Sequence, residues 1–283
     1  MNKSINLKKK LTSSWFYQLQ KLICNEFEKL EKDFGQKTNL RPKTFKKKSW
    51  KKTKNGGGGS YAIIKDGLLF DSVGVNFSKV SGRFQEKFKS QILGAKKNPK
   101  YWASGISVVA HMKNPNIPAM HFNTRFITTS EQWFGGGMDL TPCIKDNDEK
   151  TEYHKKIKLM CNNHNKNYYP KYKKWCDNYF YLPHRKEMRG VGGIFFDYKK
   201  NNWDKDFKFV KDVGLCFLEC SIQIIKRKMY KKWSYEKKNS QLLKRGRYIE
   251  FNLLYDRGTK FGLSTGGNVE AILMSLPPAA KWK

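Results

Sequence analysis

The chain has 283 residues, of which 39% are hydrophobic and 14% aromatic, enough for a large core and too apolar for a disordered tail. No run approaches the roughly 18 to 20 apolar residues of a bilayer-spanning helix, and the lysine-rich start leads into no signal-type apolar stretch, so a cytoplasmic protein is expected. The formal charge of +33 comes from 48 lysines and only 9 arginines, scattered from Lys3 to Lys283; such a diffuse field draws in polycarboxylates but lacks the clustered arginines of a nucleic-acid reader.

Between residues 14 and 30, Trp15, Leu19, Leu22, Ile23, Phe27 and Leu30 recur near the helical period and predict an amphipathic helix on a core. Residues 35–60 are polar and basic and end in NGGGGS at 55–60, which reads as a loop, either a linker or part of a site. Residues 61–65, a turn at Asp66-Gly67 and residues 68–70 predict a hairpin entering a sheet. Helices are expected over 151–175 and 206–233, the second carrying Phe209, Val213, Phe217, Cys220, Ile224 and Met229 along one stripe. The six cysteines form no CxxC pair and are expected to be reduced and structural. With no repeat and no clear boundary, 1–283 reads as one α+β domain, in which 1–48 supply a helix and a basic loop and 49–283 a core of antiparallel sheet and helices.

The segment GISVVAHMKNPNIPAMHFNTRFI at 105–127 predicts a hairpin with its bend near Asn116. Symmetric pairing about that residue sets His111 opposite His121, Val109 opposite Asn123 and Ser107 opposite Arg125. One face then holds Ile106, Val108, Ala110, Met112, Phe122 and Phe126, while the other gathers Ser107, His111, His121, Asn123 and Arg125. Such a polar cluster is costly to shield unless it binds something; a merely solvated face would more naturally carry lysine. Further on, WFGGGMDLTP at 133–142 combines aromatics, three glycines and Asp139, a candidate for proton transfer. Residues 181–198 read as a charged turn running into a strand. GRYIEFNLLYDRG at 246–258 reads as an alternating strand, leading through FGLSTGGN at 261–268 to Pro277-Pro278.

Five of these segments, VGVNFS at 73–78, HFNTR at 121–125, and residues 133–142, 184–197 and 246–278, resemble the oxygen-dependent coproporphyrinogen III oxidases, a likeness running from about Trp50 to Trp282. The resemblance implies oxidative decarboxylation of two propionates of a tetrapyrrole, coproporphyrinogen III, to vinyl groups, with molecular oxygen as co-substrate and neither flavin nor NAD; no GxGxxG fingerprint is present. It implies a large, flat antiparallel sheet flanked by helices on both faces, and a homodimer joined through residues 248–282. Ser107, Asn123, Thr124 and Arg125 resemble substrate contacts, as does the Gly266-Gly267-Asn268 turn, with Arg125 suited to a propionate. Asp139 resembles the carboxylate that engages a pyrrole N–H, and His121 the proton donor. His111, His121, His154 and His184 match positions assigned to a divalent cation such as Mn2+ in bacterial members, although His111 and His121 could equally hydrogen-bond substrate or each other.

Two departures stand out: this chain reads Ser60-Tyr61-Ala62 and Asn268 where the family often has arginine. A catalytically weakened porphyrinogen binder is the alternative they raise. A basic nucleic-acid-binding protein is a further one, unsupported by any RNP-like or helix-turn-helix pattern.

Overall fold

The computed structural model describes residues 3–52, 56–90, 92–264 and 267–283. Helix α1 (Ile5–Thr38) extends well beyond both ends of the predicted 14–30, because lysine-rich flanking turns favour helix without showing an apolar stripe. The Ser4 hydroxyl accepts the Leu7 N–H at its start, and Asn39, at φ 55°, ends it. Phe16, Leu19, Ile23, Phe27 and Leu30 are buried on the sheet. The buried Glu31 carboxylate accepts the N–H groups of Leu68, Leu69 and Phe70 at 2.8 to 3.0 Å, seating the helix against the turn below it.

Strands β1 (Lys46–Lys51) and β2 (Gly57–Lys65) replace much of the loop expected over 35–60. Asn55 lies outside the described residues, but Gly57, Gly58 and Gly59 are strand. A Cβ at Gly58 would stand 2.2 Å from the Trp50 carbonyl oxygen and one at Gly59 2.1 Å from that of Phe77, so glycine is what lets β2 fit between β1 and β3 (Phe70–Arg83). β1 also runs across the division drawn at residues 48 and 49, so the N-terminal part belongs to the same core. The turn at Asp66-Gly67 is present, with Asp66 at φ 53°.

After the single turn α2 (Glu86–Lys89) come β4 (Lys100–Met112), β5 (Ala119–Thr128) and β6 (Gln132–Thr141). The β4–β5 hairpin forms, but Val109 rather than His111 faces His121, Ser107 faces Asn123 and Gly105 faces Arg125. The Asn114 side chain accepts the Asn116 N–H and tightens the bend around Pro115. Because the slip is two residues, every side chain keeps its predicted face.

The helix expected over 151–175 is two helices, α3 (Asn147–Asn162) and α4 (Tyr168–Tyr179). A short ladder of β7 (Tyr181–Leu182) and β8 (Glu187–Met188) precedes β9 (Gly192–Lys199), and α5 (Trp203–Lys228) follows. The strand expected at 246–258 is instead mostly the end of helix α6 (Tyr235–Leu254): its buried residues Gln241, Arg245, Tyr248, Phe251 and Asn252 repeat at three and four along one stripe, which the quoted segment samples too briefly to separate from an alternation. α7 (Arg257–Ser264) and α8 (Val269–Leu273) close the chain.

The main sheet has the order β1-β2-β3-β4-β5-β6-β9 and is antiparallel throughout. On one face Ile106, Val108, Phe122, Phe126, Phe134 and Phe196 pack against α1 and α5, with Phe122 stacked on Phe217 at 5.0 Å. The opposite face is partly covered by α6 and α8, through Phe251 on Phe180 and Phe195 and through Ala271 and Met274 on Tyr61. All six cysteines are free thiols. No helix among the described residues is long and apolar enough to cross a membrane.

Candidate functional site

The partly covered face is a floor of small residues crossed by a polar chain. Side-chain alternation and the register place Gly59, Ser78, Gly105, Arg125 and Gly135 in one row; Tyr61, Asn76, Ser107, Asn123 and Gly137 in the next; and Ile63, Gly74, Val109, His121, Asp139 and Gly193 in the third. Glycine and serine dominate the first row, and Asn76, Ser107 and Asn123 form the middle of the second, leaving a surface on which a broad flat molecule can lie beside polar groups. Met274 covers part of the third row: a Cβ at Gly74 would stand 2.5 Å from its sulfur.

Across this floor runs one hydrogen-bonded chain. Arg189 Nη2 donates to Asp139 Oδ2 at 2.5 Å, and the other Asp139 oxygen meets His121 Nδ1 at 2.7 Å. His121 Nε2 stands 3.2 Å from the Asn123 amide nitrogen, Asn123 Oδ1 accepts from Arg125 Nη1 at 3.4 Å, and Arg125 Nη2 donates to Asp197 at 2.7 Å. Strands β5, β6 and β9 supply five of the six members. A Cβ at Gly135 would stand 2.5 Å from Asp197 and 3.0 Å from Arg125 Nη2, so this glycine makes room for their pair.

The chain is graded from buried to open. Arg189 and Asp139 are each 2% exposed in their side chains, His121 is 16% exposed and Arg125 32%. Burial alone would raise the Asp139 carboxyl, but the Arg189 charge and the His121 hydrogen bond outweigh it and hold the group below the ordinary carboxylate range. Arg189 is itself enclosed by aromatic rings, its guanidinium carbon 3.9 Å from the Phe180 centroid, 4.6 Å from Tyr248 and 4.8 Å from Phe251. An ionised Asp139 can only accept, so His121 Nδ1 carries the proton and Nε2 is the atom turned toward Asn123 and the open floor.

Ser107, His121, Asn123, Arg125 and Asp139 are thus brought together, as the sequence suggested. Thr124 is not: it sits on the opposite face, 1% exposed, as strict alternation with its two neighbours requires. Gly266 lies outside the described residues. Gly267 donates its N–H to the Gly262 carbonyl, and the Asn268 side chain accepts the Ala271 N–H at 2.8 Å, which makes it the cap of α8. At the other departure, the Tyr61 hydroxyl donates to Glu270 and ties α8 over the floor.

The four histidines expected around a cation do not converge. His111 is buried against Ser275 O at 2.9 Å with Tyr248 edge-on to its ring, and burial pushes it down to about 3. His154 faces the Val191 carbonyl and the Tyr169 hydroxyl, while His184 faces Glu250 and the Tyr255 hydroxyl. Among the described residues no group of three or more His, Cys, Asp or Glu side chains is placed to hold a metal ion, so this donor set does not fit one.

Arg189, Asp197 and Asn76 were missed as site members. Arg189 and Asp197 belong to the 184–197 segment, but only the pairing of β6 with β9 brings them beside Asp139 and Arg125. Asn76 lies within VGVNFS, and its buried Oδ1 has no hydrogen-bond partner among the described residues.

The model of the coproporphyrinogen III oxidase family matches residues 11–283. Proteins named oxygen-dependent coproporphyrinogen-III oxidase from Rickettsia rickettsii (strain Sheila Smith), Rickettsia africae and Rickettsia bellii are each 53% identical over 275 residues, which is 97% of this chain and 98% of each relative.

Proposed function

The chain belongs to the coproporphyrinogen III oxidase family and is an oxygen-dependent oxidoreductase of porphyrin synthesis, and from that premise we propose how its own residues serve the reaction. Each propionate converted to a vinyl group gives up carbon dioxide, a proton and two electrons. Two such conversions release the four electrons that reduce one dioxygen to two waters, with no flavin or nicotinamide required.

Coproporphyrinogen III lies on the floor of Gly59, Ser78, Gly105, Ser107 and Gly135, where the absence of large side chains admits the macrocycle. Arg125 keeps Nη2 on Asp197 and turns its remaining donors to a propionate. His121 is the proton-transfer group, because Nε2, whose protein partner is the Asn123 amide at 3.2 Å, is the ring nitrogen that faces the floor. Asp139 and Arg189 act through His121: both Asp139 oxygens are occupied, so the carboxylate fixes the tautomer and orientation of the imidazole. This reading differs from one in which Asp139 touches the pyrrole directly. The observation that carries it is the unbroken chain from buried Arg189 to half-open Arg125.

The enzyme is proposed to be cytoplasmic and to work as a homodimer joined through residues 248–282. Leu253, Leu254, Leu263, Val269 and Trp282 in that stretch are 41% to 54% exposed, which supports an apolar interface there.

Steady-state kinetics on Arg125→Ala and His121→Ala test the assignment. Loss of a charge-assisted hydrogen bond predicts that Arg125→Ala lowers kcat/KM by roughly 10- to 150-fold. His121→Ala should lower kcat by about 10²- to 10⁴-fold with substrate affinity largely kept. Near-normal turnover in His121→Ala would overturn its role.

A further inference from the structure

We propose that the chain carries a second ligand site, a lysine-lined pocket for an oligophosphate. It lies at the bend end of the β4–β5 hairpin, off the floor, with a volume of about 380 Å³. Its lining comes from three connections: Asn116 at the bend, Lys145 and Asp146 before α3, and Lys231, Lys232 and Lys237 around the start of α6.

Lysines dominate the lining, Lys145, Lys231 and Lys232 being exposed and Lys237 half-buried. Lys228, whose side chain is 5% exposed, is already neutralised at the wall by Asp146 and Glu149, each at 2.8 Å. Lys145, Lys231 and Lys232 have no ion-pair partner among the described residues, and Lys237 donates only to the neutral Asn116 Oδ1, at 3.1 Å. Five lysines and one carboxylate, Asp146, thus line one concavity, and an anion within it relieves the repulsion among the four lysines that hold no ion pair. The backbone that presents them is clamped: Asn114 Nδ2 donates to the carbonyls of Lys228 and Lys231, and Asn116 Nδ2 to that of Lys232. A fixed backbone lowers the ordering cost of binding.

The occupant that matches is a soluble di- or triphosphate group. Lysine acts on phosphate as a point charge, whereas planar carboxylates favour the fork of arginine, which this pocket lacks. Three or more negative charges suit four cations. A small concavity suits a compact anion better than a bilayer or an extended nucleic acid, which would need a convex or elongated basic surface.

Isothermal titration calorimetry with inorganic triphosphate, on the full chain at physiological salt, tests this. Saturable binding is expected, weakened at least about tenfold in Lys231→Gln/Lys232→Gln/Lys237→Gln, since each lysine removed is a charge-assisted hydrogen bond lost. The control Lys155→Gln/Lys158→Gln/Lys166→Gln removes as much charge from exposed positions elsewhere and should bind as the unmodified chain does. Oxidase turnover should be the same in both variants. Equal weakening in the two triple variants would mean a diffuse field and overturn the proposal, as would the absence of saturable binding. Capture on phosphatidic acid vesicles that the pocket substitutions abolish and triphosphate fails to compete would assign the face to a membrane and likewise overturn it.

Discussion

Replacing Arg189 with Met removes the charge beneath Asp139 while leaving a flexible apolar chain to fill the space among Phe180, Tyr248 and Phe251. Both partners of this ion pair are 2% exposed, so the single substitution strands a buried carboxylate. Breaking a buried pair from one side costs about 3 to 5 kcal/mol, far more than the pair contributes net. Asp139→Asn in the same chain removes the stranded charge, so the double variant should recover part of the loss, with a coupling of roughly 0.5 to 3 kcal/mol. Urea unfolding of the wild type, both single variants and the double variant completes the cycle, provided the m-value stays constant. In activity the variants should not follow stability: the double variant, though refolded, should remain slow because His121 has lost its anionic partner. A single variant within about 1 kcal/mol of wild type, or a double variant whose losses merely add, would refute the buried-pair argument.

The Asp139 carboxyl, held low in the folded state, contributes stability that is complete above its ordinary value near 4 and is lost as pH falls toward the depressed folded value. His111 adds to the same acid limb: neutral and pushed down to about 3 when folded, it favours the unfolded chain as pH drops below the ordinary histidine value of about 6.5, so His111→Gln should flatten the stability profile between about pH 6.5 and 3. Asn268→Ala should cost about 1 kcal/mol in stability through the lost cap on α8, measured by thermal unfolding, with an unchanged substrate KM. Gly135→Ala should lower kcat/KM by displacing Asp197 and Arg125, an effect absent from Gly82→Ala, where the three nearest atoms belong to the Tyr101 side chain, at 3.1 to 3.2 Å. Dialysis against a chelator should leave turnover intact, because the four histidines occupy separate places with separate partners.

How far the sequence can be read depended on the range of the interaction concerned. The polar face of the 105–127 hairpin was legible because alternation is local and survives a slip of two residues. The pairing itself was not, since it depends on how Asn114 closes the bend. α6 was misread for a related reason: part of its buried stripe, Gln241 and Arg245 toward Met112, lies before residue 246, and the thirteen residues that carry only Tyr248, Phe251 and Asn252 of it imitate a period of two. The glycine run at 56–59 looked like a loop because the sequence does not show the neighbouring backbones that exclude a Cβ. Arg189 and Asp197 emerge as partners of Asp139 and Arg125 only once β9 is docked beside β6, a contact between segments some fifty to seventy residues apart. Family likeness drew attention to this face, whereas the proposed division of labour between Asp139 and His121 rests on geometry.

The most direct test of the account is to incubate the purified chain with coproporphyrinogen III without oxygen, then admit oxygen while following carbon dioxide release and the formation of protoporphyrinogen IX. The account predicts no product before oxygen and both products after it, with turnover strongly reduced in His121→Ala. Substrate that binds but yields neither product in oxygen would contradict it and leave a porphyrinogen-binding protein in its place.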